Sequence, residues 1–349
     1  MKILFLSKYN RDGASSRYRF YNYKPYFDEN CIQFHIKPLL DNSYVLNLYD
    51  NRKIKVYFQR IFSILKRVYF VLFQSSNYDL IVIEKELFPN VPYVIEKLLL
   101  KGKSYALDFD DYIATDYKLN NFKKLFLKNK IDKLSKGAKF VTVGNHWYFD
   151  EIKSDNLIYL PTVIDLDYYS KTKKIHKKDI TTIVWIGSLS TGKYLNLIIP
   201  VLQDLSKKYS IKIKIIGADI TINDVNLDLV KWNESTEINE LLSSDIGIMP
   251  LNNTLWEKGK CGFKLIQYMA CAIPVVASPA PANEEIIENG VNGYIAHNEK
   301  EWYKYLEKLI IDPSLRENFG KSGRSKILSS YSYQVWGDKY CGYLKSEYK

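Results

Sequence analysis

The sequence predicts an α/β protein of two doubly wound, Rossmann-like domains, and three observations carry that expectation. The chain has 349 residues, enough for two domains at about 150 residues each. Short continuous apolar runs alternate with helical patterns, as in a parallel sheet covered on both faces. The alternation occurs twice, on either side of a polar, lysine-rich stretch at 171–179 that has linker composition.

In the first half, strands are expected at 3–7, 80–84, 104–109 and 140–143, and 160–165 reads as the crossover into the second unit. In the second half, strands are expected at 182–186, 211–216, 245–249, 274–277 and 294–296, and Leu229-Val-Lys-Trp232 is strand-like. A helix at 263–270 precedes Pro274, and Asn289-Gly-Val-Asn-Gly293 is a turn. Helices at 300–312 and 313–330 close the unit, and 333–348 forms the last helix. The domain boundaries are then 1–165 and 166–332. Ligands of such sheets bind outside the carboxyl ends of strands, so residues just after each strand carry the chemistry.

Composition narrows the function. Hydrophobic residues make up 46% of the chain, which excludes global disorder. The four cysteines are scattered without metal-ligand spacing, which fits a reducing cytoplasm, and Cys271 in its apolar run packs as a small hydrophobe. The apolar start of the chain is too short for a signal peptide, and no run approaches the roughly 20 apolar residues of a spanning helix. A soluble or peripheral cytoplasmic protein is expected.

The net charge of +11 asks for an anionic partner. Arg52, Lys53, Lys55, Arg60, Lys66 and Arg67 interleave with Tyr57, Phe58, Phe62, Tyr69 and Phe70, and Ile54, Tyr57, Phe58, Ile61, Leu65 and Val68 follow helical spacing. A second basic stretch sets Lys118, Lys123, Lys124, Lys128, Lys130, Lys133 and Lys136 around Leu119, Phe122, Leu125, Phe126 and Leu134. Two readings stand. Either these are surface helices with apolar stripes facing the core, or they dock on an anionic membrane surface. Nucleic acid is disfavoured, because no reader motif accompanies the charge.

The most specific stretch is Gly259-Lys-Cys-Gly-Phe-Lys-Leu-Ile-Gln-Tyr-Met-Ala-Cys-Ala-Ile-Pro-Val-Val-Ala-Ser278. A helix that opens with glycines and lysines suits phosphate, because free N–H groups, the helix dipole and lysine charge face the anion together. After the expected strand at 182–186 comes Trp185-Ile-Gly-Ser-Leu-Ser-Thr-Gly-Lys193, which brings Gly187, Ser188 and Lys193 to a strand end. After the first strand, Gly13, Ser15 and Ser16 form a small-residue loop, where Ser16 is a candidate cap for a helix carrying Arg17 and Arg19. Asp108-Phe-Asp-Asp111 puts three carboxylates at another strand end, a cluster that needs pairing, a metal or a function. Asp108 alone also reads as a helix cap or salt-bridge partner, and His146 as a structural turn residue. Trp232 reads as core.

The 259–278 string resembles the donor segment of the retaining glycosyltransferases of family 4, which have the GT-B fold. Met269-Ala270-Cys271 and Pro274-Val275-Val276 match the family pattern, whereas Gly259 and Gln267 stand where that family has glutamates. The resemblance implies two domains facing across a cleft, with the 333–349 helix crossing back to the first. It implies a hexosyltransferase that moves sugar from a UDP- or GDP-linked donor to an acceptor hydroxyl, without cofactor or metal. The acceptor implied is a polysaccharide or glycolipid of the bacterial envelope, met by a protein peripheral on the inner face of the membrane. Lys193, Lys260 and Lys264 would hold the diphosphate with Gly187, Ser188, Gly262 and Phe263 around it, and Gln267 would face the ribose. Gln267 also reads as a half-exposed helix residue. Gly13 and Arg17 would lie at the cleft, and Asp110 or Asp111 beside the sugar undergoing transfer. A non-catalytic GT-B subunit that binds membrane or a partner, and a nucleotide-sugar epimerase, are the alternatives at this point.

Overall fold

The computed structural model describes residues 1–41, 53–170 and 180–346, so the 171–179 linker and Arg52 lie outside the described residues. The chain forms two compact units. The first is Met1–Thr162 together with the chain from Trp336 onward, and the second is Val163–Val335.

The first unit is built on a parallel sheet of β1 (Lys2–Leu6), β2 (Gln33–Ile36), β3 (Leu80–Glu84), β4 (Tyr105–Phe109), β5 (Val141–Val143) and β6 (Leu157–Tyr159). The order is β2-β1-β3-β4-β5-β6. Strands β3, β4 and β5 are buried at every position, which is why each reads as a mostly apolar run. Leu4, Leu6, Ile81, Ile83, Leu107, Phe109, Val141 and Val143 share one core cluster, and each such side chain contributes about 1.5–3 kcal/mol by leaving water. The two strands without a sequence signal are β2 and β6. They sit at the sheet's edges and have no fully buried position; β2 alternates polar and apolar residues, and β6 is only three residues long.

The second unit repeats the plan with β7 (Thr181–Ile186), β8 (Ile211–Ile216), β9 (Leu227–Val230), β10 (Ile246–Met249), β11 (Val275–Ala277) and β12 (Gly293–Ile295), all parallel. Their order is β12-β11-β10-β7-β8-β9. The order reverses between β1 and β3 in the first sheet and between β7 and β10 in the second, and those switch points open the crevices that take ligands. Helix Glu299–Ile311 stops where the Asp312 carboxylate accepts the Leu315 N–H and Pro313 begins helix Pro313–Ser330. The last helix, Tyr333–Ser346, counts with the first unit from Trp336 on, where Tyr340 meets Tyr23 edge-on at 4.9 Å.

Both basic stretches are helical, and their faces depart from the first of the two readings, in which the apolar stripes face the core. Helix Lys53–Phe73 packs through Ile64, Val68, Phe70 and Val71. Ile54, Tyr57, Phe58, Ile61, Phe62, Leu65, Tyr69, Leu72 and Phe73 are exposed instead of facing the core. Arg67 is no surface cation. It is buried and donates to the carbonyls of Ser7 (2.6 Å) and Lys37 (2.7 Å). In the second stretch Leu119, Phe122, Leu125 and Phe126 are exposed, whereas Lys130 is buried against Glu86 (2.6 Å) and Glu96 (2.7 Å). Among the described residues, no helix is long and apolar enough to cross a membrane. All four cysteines are free and Cys271 is buried.

Candidate functional site

In the first unit the polar residues gather at the carboxyl ends of β1, β3 and β4. The loop after β1 turns at Gly13, which caps helix Ala14–Arg19; an added Cβ there would meet Tyr9 at 2.4 Å. Ser16 is therefore inside the helix and not its cap. Its hydroxyl donates to Glu84 Oε2 at 2.6 Å, Ser15 donates to Oε1 at 2.8 Å, and the Lys8 N–H donates to Oε2 at 2.7 Å. Glu84 ends β3 at the switch point and is buried, and that burial raises its pKa. Arg17 is buried on the same helix, its guanidinium 4.9 Å from the Tyr18 ring centre.

The three aspartates divide between two cations. Asp108 is a salt-bridge partner of Arg19 and accepts the Thr142 hydroxyl at 2.6 Å, while Arg19 also donates to the Leu160 carbonyl at 2.7 Å. Asp110 and Asp111 flank the Lys85 ammonium at 2.9 and 3.2 Å. Lys85 has a left-handed backbone, φ +66°, and its own side chain is buried. Such a conformation costs a lysine about 1–2 kcal/mol. The two carboxylates hold its pKa well above the ordinary lysine value in spite of that burial. Asp110 is buried and Asp111 half-buried. The sequence reading missed Lys85 and Glu84, which stand in the apolar-looking run Leu80-Ile-Val-Ile-Glu-Lys85 and acquire their role only from the register that sets Glu84 beside Asp108. His146 stacks on Tyr159 at 4.1 Å, as a structural residue does.

In the second unit the site is built on helix Phe263–Ala270. Its cap, Gly262, has φ +65°, and a Cβ there would meet Ile286 at 2.4 Å, so glycine answers both backbone and space. Phe263 is half-buried at the first helical position. Lys264 follows with its ammonium 4.3 Å above the centre of the Trp185 ring. Burial, then the neighbouring charge of Lys260, pushes its pKa down to about 7. Among the described residues no carboxylate pairs with Lys264. Lys260 itself lies 5.4 Å over the Trp256 ring.

The loop after β7 carries the other residues. Gly187 adjoins Trp185, whose ring an added Cβ would meet at 2.6 Å. The Ser188 hydroxyl is exposed and lies 3.0 Å from Ser190 Oγ. Lys193 is exposed on the turn Leu189–Leu197, its ammonium 5.6 Å from the centre of the Tyr194 ring, and the Tyr194 hydroxyl is tied to buried Glu257. The ring of Tyr268 lies under Gly247, and its hydroxyl accepts the Ile186 N–H at 2.9 Å. One side chain of the donor helix thus spans both strands of the switch point.

Gln267 is buried, not half-exposed. Its amide nitrogen donates to Glu237 Oε1 at 2.7 Å and to the Tyr169 hydroxyl at 3.3 Å. Trp232 is half-buried and donates its indole N–H to the other oxygen of Glu237, so it is not a core residue. Glu237 and Tyr169 carried no sequence signal, because neither belongs to a motif. The second unit therefore gathers Gly187, Trp185, Lys264, Lys260 and Gln267 on the β7 loop and the donor helix, while Gly13, Arg17, Asp110 and Asp111 belong to the first unit.

Comparison with known proteins places this geometry. Residues 170–326 match the family described as Glycosyl transferases group 1. The capsular polysaccharide biosynthesis glycosyltransferase CapM of Staphylococcus aureus is 26% identical over 181 residues, 49% of this chain and 48% of that protein. The chain thus spans about half the length of that relative. The uncharacterised glycosyltransferase MJ1069 of Methanocaldococcus jannaschii is 23% identical over 301 residues, 77% of this chain and 75% of that one. Among solved structures, Anabaena Alr3699/HepE in complex with UDP superposes with a TM-score of 0.72 at 14% identity, over 99% of this chain and all (100%) of that one. The two parallel sheets are those of the GT-B fold.

Proposed function

We propose that the protein is a retaining glycosyltransferase of family 4 type, which moves a hexose from a UDP- or GDP-linked donor to an acceptor hydroxyl in envelope polysaccharide or glycolipid assembly. The observation that carries this reading is Lys264, a half-buried cation without a carboxylate among the described residues, at the glycine-capped start of a helix beside a switch point. A half-buried charge at a helix start asks for an anion. The group 1 match over the same unit, and the UDP bound by the Anabaena relative, support a nucleoside diphosphate as that anion.

The chemistry proposed follows from the residues that each unit carries at its strand ends. Lys264, Lys260 and Lys193, with the helix dipole, stabilise charge on the leaving diphosphate as the bond from sugar C1 to phosphate oxygen breaks. The acceptor oxygen bonds C1 on the same face, and its proton passes to the leaving phosphate oxygen. No protein nucleophile and no metal is required. Asp110 and Asp111 are held by Lys85 in the first unit, and the resemblance to family 4 is what assigns them hydrogen bonds to hydroxyls of the transferred sugar.

The acceptor side of this reading includes a membrane. Exposed aromatics on helix Lys53–Phe73 and on helix Asn121–Leu127 stand among exposed Arg60, Lys66, Lys124 and Lys128, the composition of a peripheral surface for anionic lipid. The deciding experiment assays nucleotide release from UDP-, GDP- and ADP-sugars with and without a lipid extract. Release from one donor, stimulated by acceptor, is expected. If no donor is turned over and neither UDP nor GDP binds, the reading is wrong. Lys264→Ala and Lys193→Ala should each weaken the nucleoside diphosphate more than the nucleoside.

A further inference from the structure

We propose that Glu237 and Gln267 act as one unit in which Glu237, a positioning residue, turns the Gln267 amide so that its carbonyl oxygen accepts from the ribose hydroxyls of the donor nucleotide. The inference rests on the donor-site reading above and adds to it a residue outside the donor helix.

An ionised carboxylate only accepts hydrogen bonds, so the amide group facing Glu237 at 2.7 Å has to be the NH2. The amide's remaining donor is aimed at the Tyr169 hydroxyl at 3.3 Å. Both donors are then used, and Gln267 is left with acceptor capacity alone. Glu237 cannot swing away, because the Trp232 indole holds its second oxygen and the residue opens helix Glu237–Leu242 among buried neighbours. Donation to a charged acceptor draws electron density toward the carbonyl oxygen and makes it a stronger acceptor. Gln267 also stands three residues after Lys264, on the same helix face, one turn beyond the phosphate end of the site. On the donor-site reading, the ribose follows the diphosphate there. Gln267 alone would be an amide free to present either end. With Glu237 the pair carries one negative charge delivered through one carbonyl.

The test compares UDP with 2′-deoxy-UDP, and GDP with 2′-deoxy-GDP, by calorimetry on the full chain. Wild type should prefer the ribose form by about tenfold, the worth of one good hydrogen bond to a charged network. Glu237→Gln should bring that ratio to near one while leaving the deoxy form bound as before. Gln267→Glu alone sets two buried carboxylates against each other and should lower Tm at neutral pH. The exchanged double variant Glu237→Gln/Gln267→Glu restores one carboxylate and one amide, and should recover both the Tm and the ribose preference. A structural role for Glu237 would weaken ribose and deoxy forms equally, and that result overturns the proposal while the donor-site reading stands. A wild type that binds neither UDP nor GDP overturns both.

Discussion

Binding of a nucleoside diphosphate should weaken steeply as pH rises above 7, and Lys264 sets the size of the effect. Its pKa in the unliganded chain is about 7, lowered first by burial and then by Lys260. A diphosphate laid against the ammonium favours the charged form and returns the pKa toward the ordinary lysine value of about 10.4. Above pH 7 the free chain has lost a proton that the complex must take up, so affinity falls by up to about tenfold per pH unit. Between pH 7 and pH 9 the loss comes to about 50-fold if the full shift is recovered on binding. The phosphates contribute little to this slope, because their last pKa is near 6 and they are fully charged throughout. Calorimetric titration of UDP from pH 7 to 9 reads the effect directly, with uridine as the phosphate-free control. Lys264→Met should bind UDP weakly and with a flat pH profile. A wild-type affinity constant across that range, or a slope that survives in Lys264→Met, would refute the assignment of Lys264 to the diphosphate.

Turnover should persist in EDTA, since in the proposed site lysines and a helix start face the diphosphate; abolition by EDTA with recovery in Mg²⁺ or Mn²⁺ would return Asp110 and Asp111 to a metal-binding reading. Lys85→Met leaves two aspartates at 2.9 and 3.2 Å from a lost cation. Breaking a buried pair costs about 3–5 kcal/mol, so Tm and kcat should both fall, with UDP affinity kept and with partial rescue in Lys85→Arg. A drop in UDP affinity equal to the drop in kcat would count against an acceptor-side role. Vesicle binding should rise with anionic lipid and fall with salt, and Arg60→Gln with Lys66→Gln should lose about 2 kcal/mol, or roughly 30-fold. Arg67 is left out of that variant because it is buried on backbone carbonyls. Unchanged cosedimentation would remove the membrane from the acceptor hypothesis.

The parallel sheets were legible because buried strands and amphipathic helices have different periods, and ten of the twelve strands carry that signal in their own residues. The donor helix reads directly from Gly262, Lys264 and Pro274, whose conformational effects are local. What stayed hidden depends on register or on distant packing. Glu84 and Asp108 are neighbours only because β3 and β4 pair at that offset, and Glu237 meets Gln267 across 30 residues of chain. The helix Lys53–Phe73 shows the reverse failure. Its regular apolar spacing is real, yet the spacing alone does not say which face the sheet covers, and the buried line runs through Ile64, Arg67, Val68 and Val71.

The Tyr268 phenol has a consequence for how this site can change. It takes the Ile186 N–H at 2.9 Å while its ring fills the space over Gly247, so the donor helix is seated by an aromatic strut that no ligand needs to touch. Seating and recognition are therefore separately adjustable. The exposed Ser188 can be exchanged for other polar residues, and ligand preference altered with it, without shifting the helix that carries the charge. An attempt to re-target the proposed site to a different nucleotide should vary Ser188 and keep Tyr268 and Gly247 fixed. Gly247→Ala would tilt the strut, and it would scramble every donor alike.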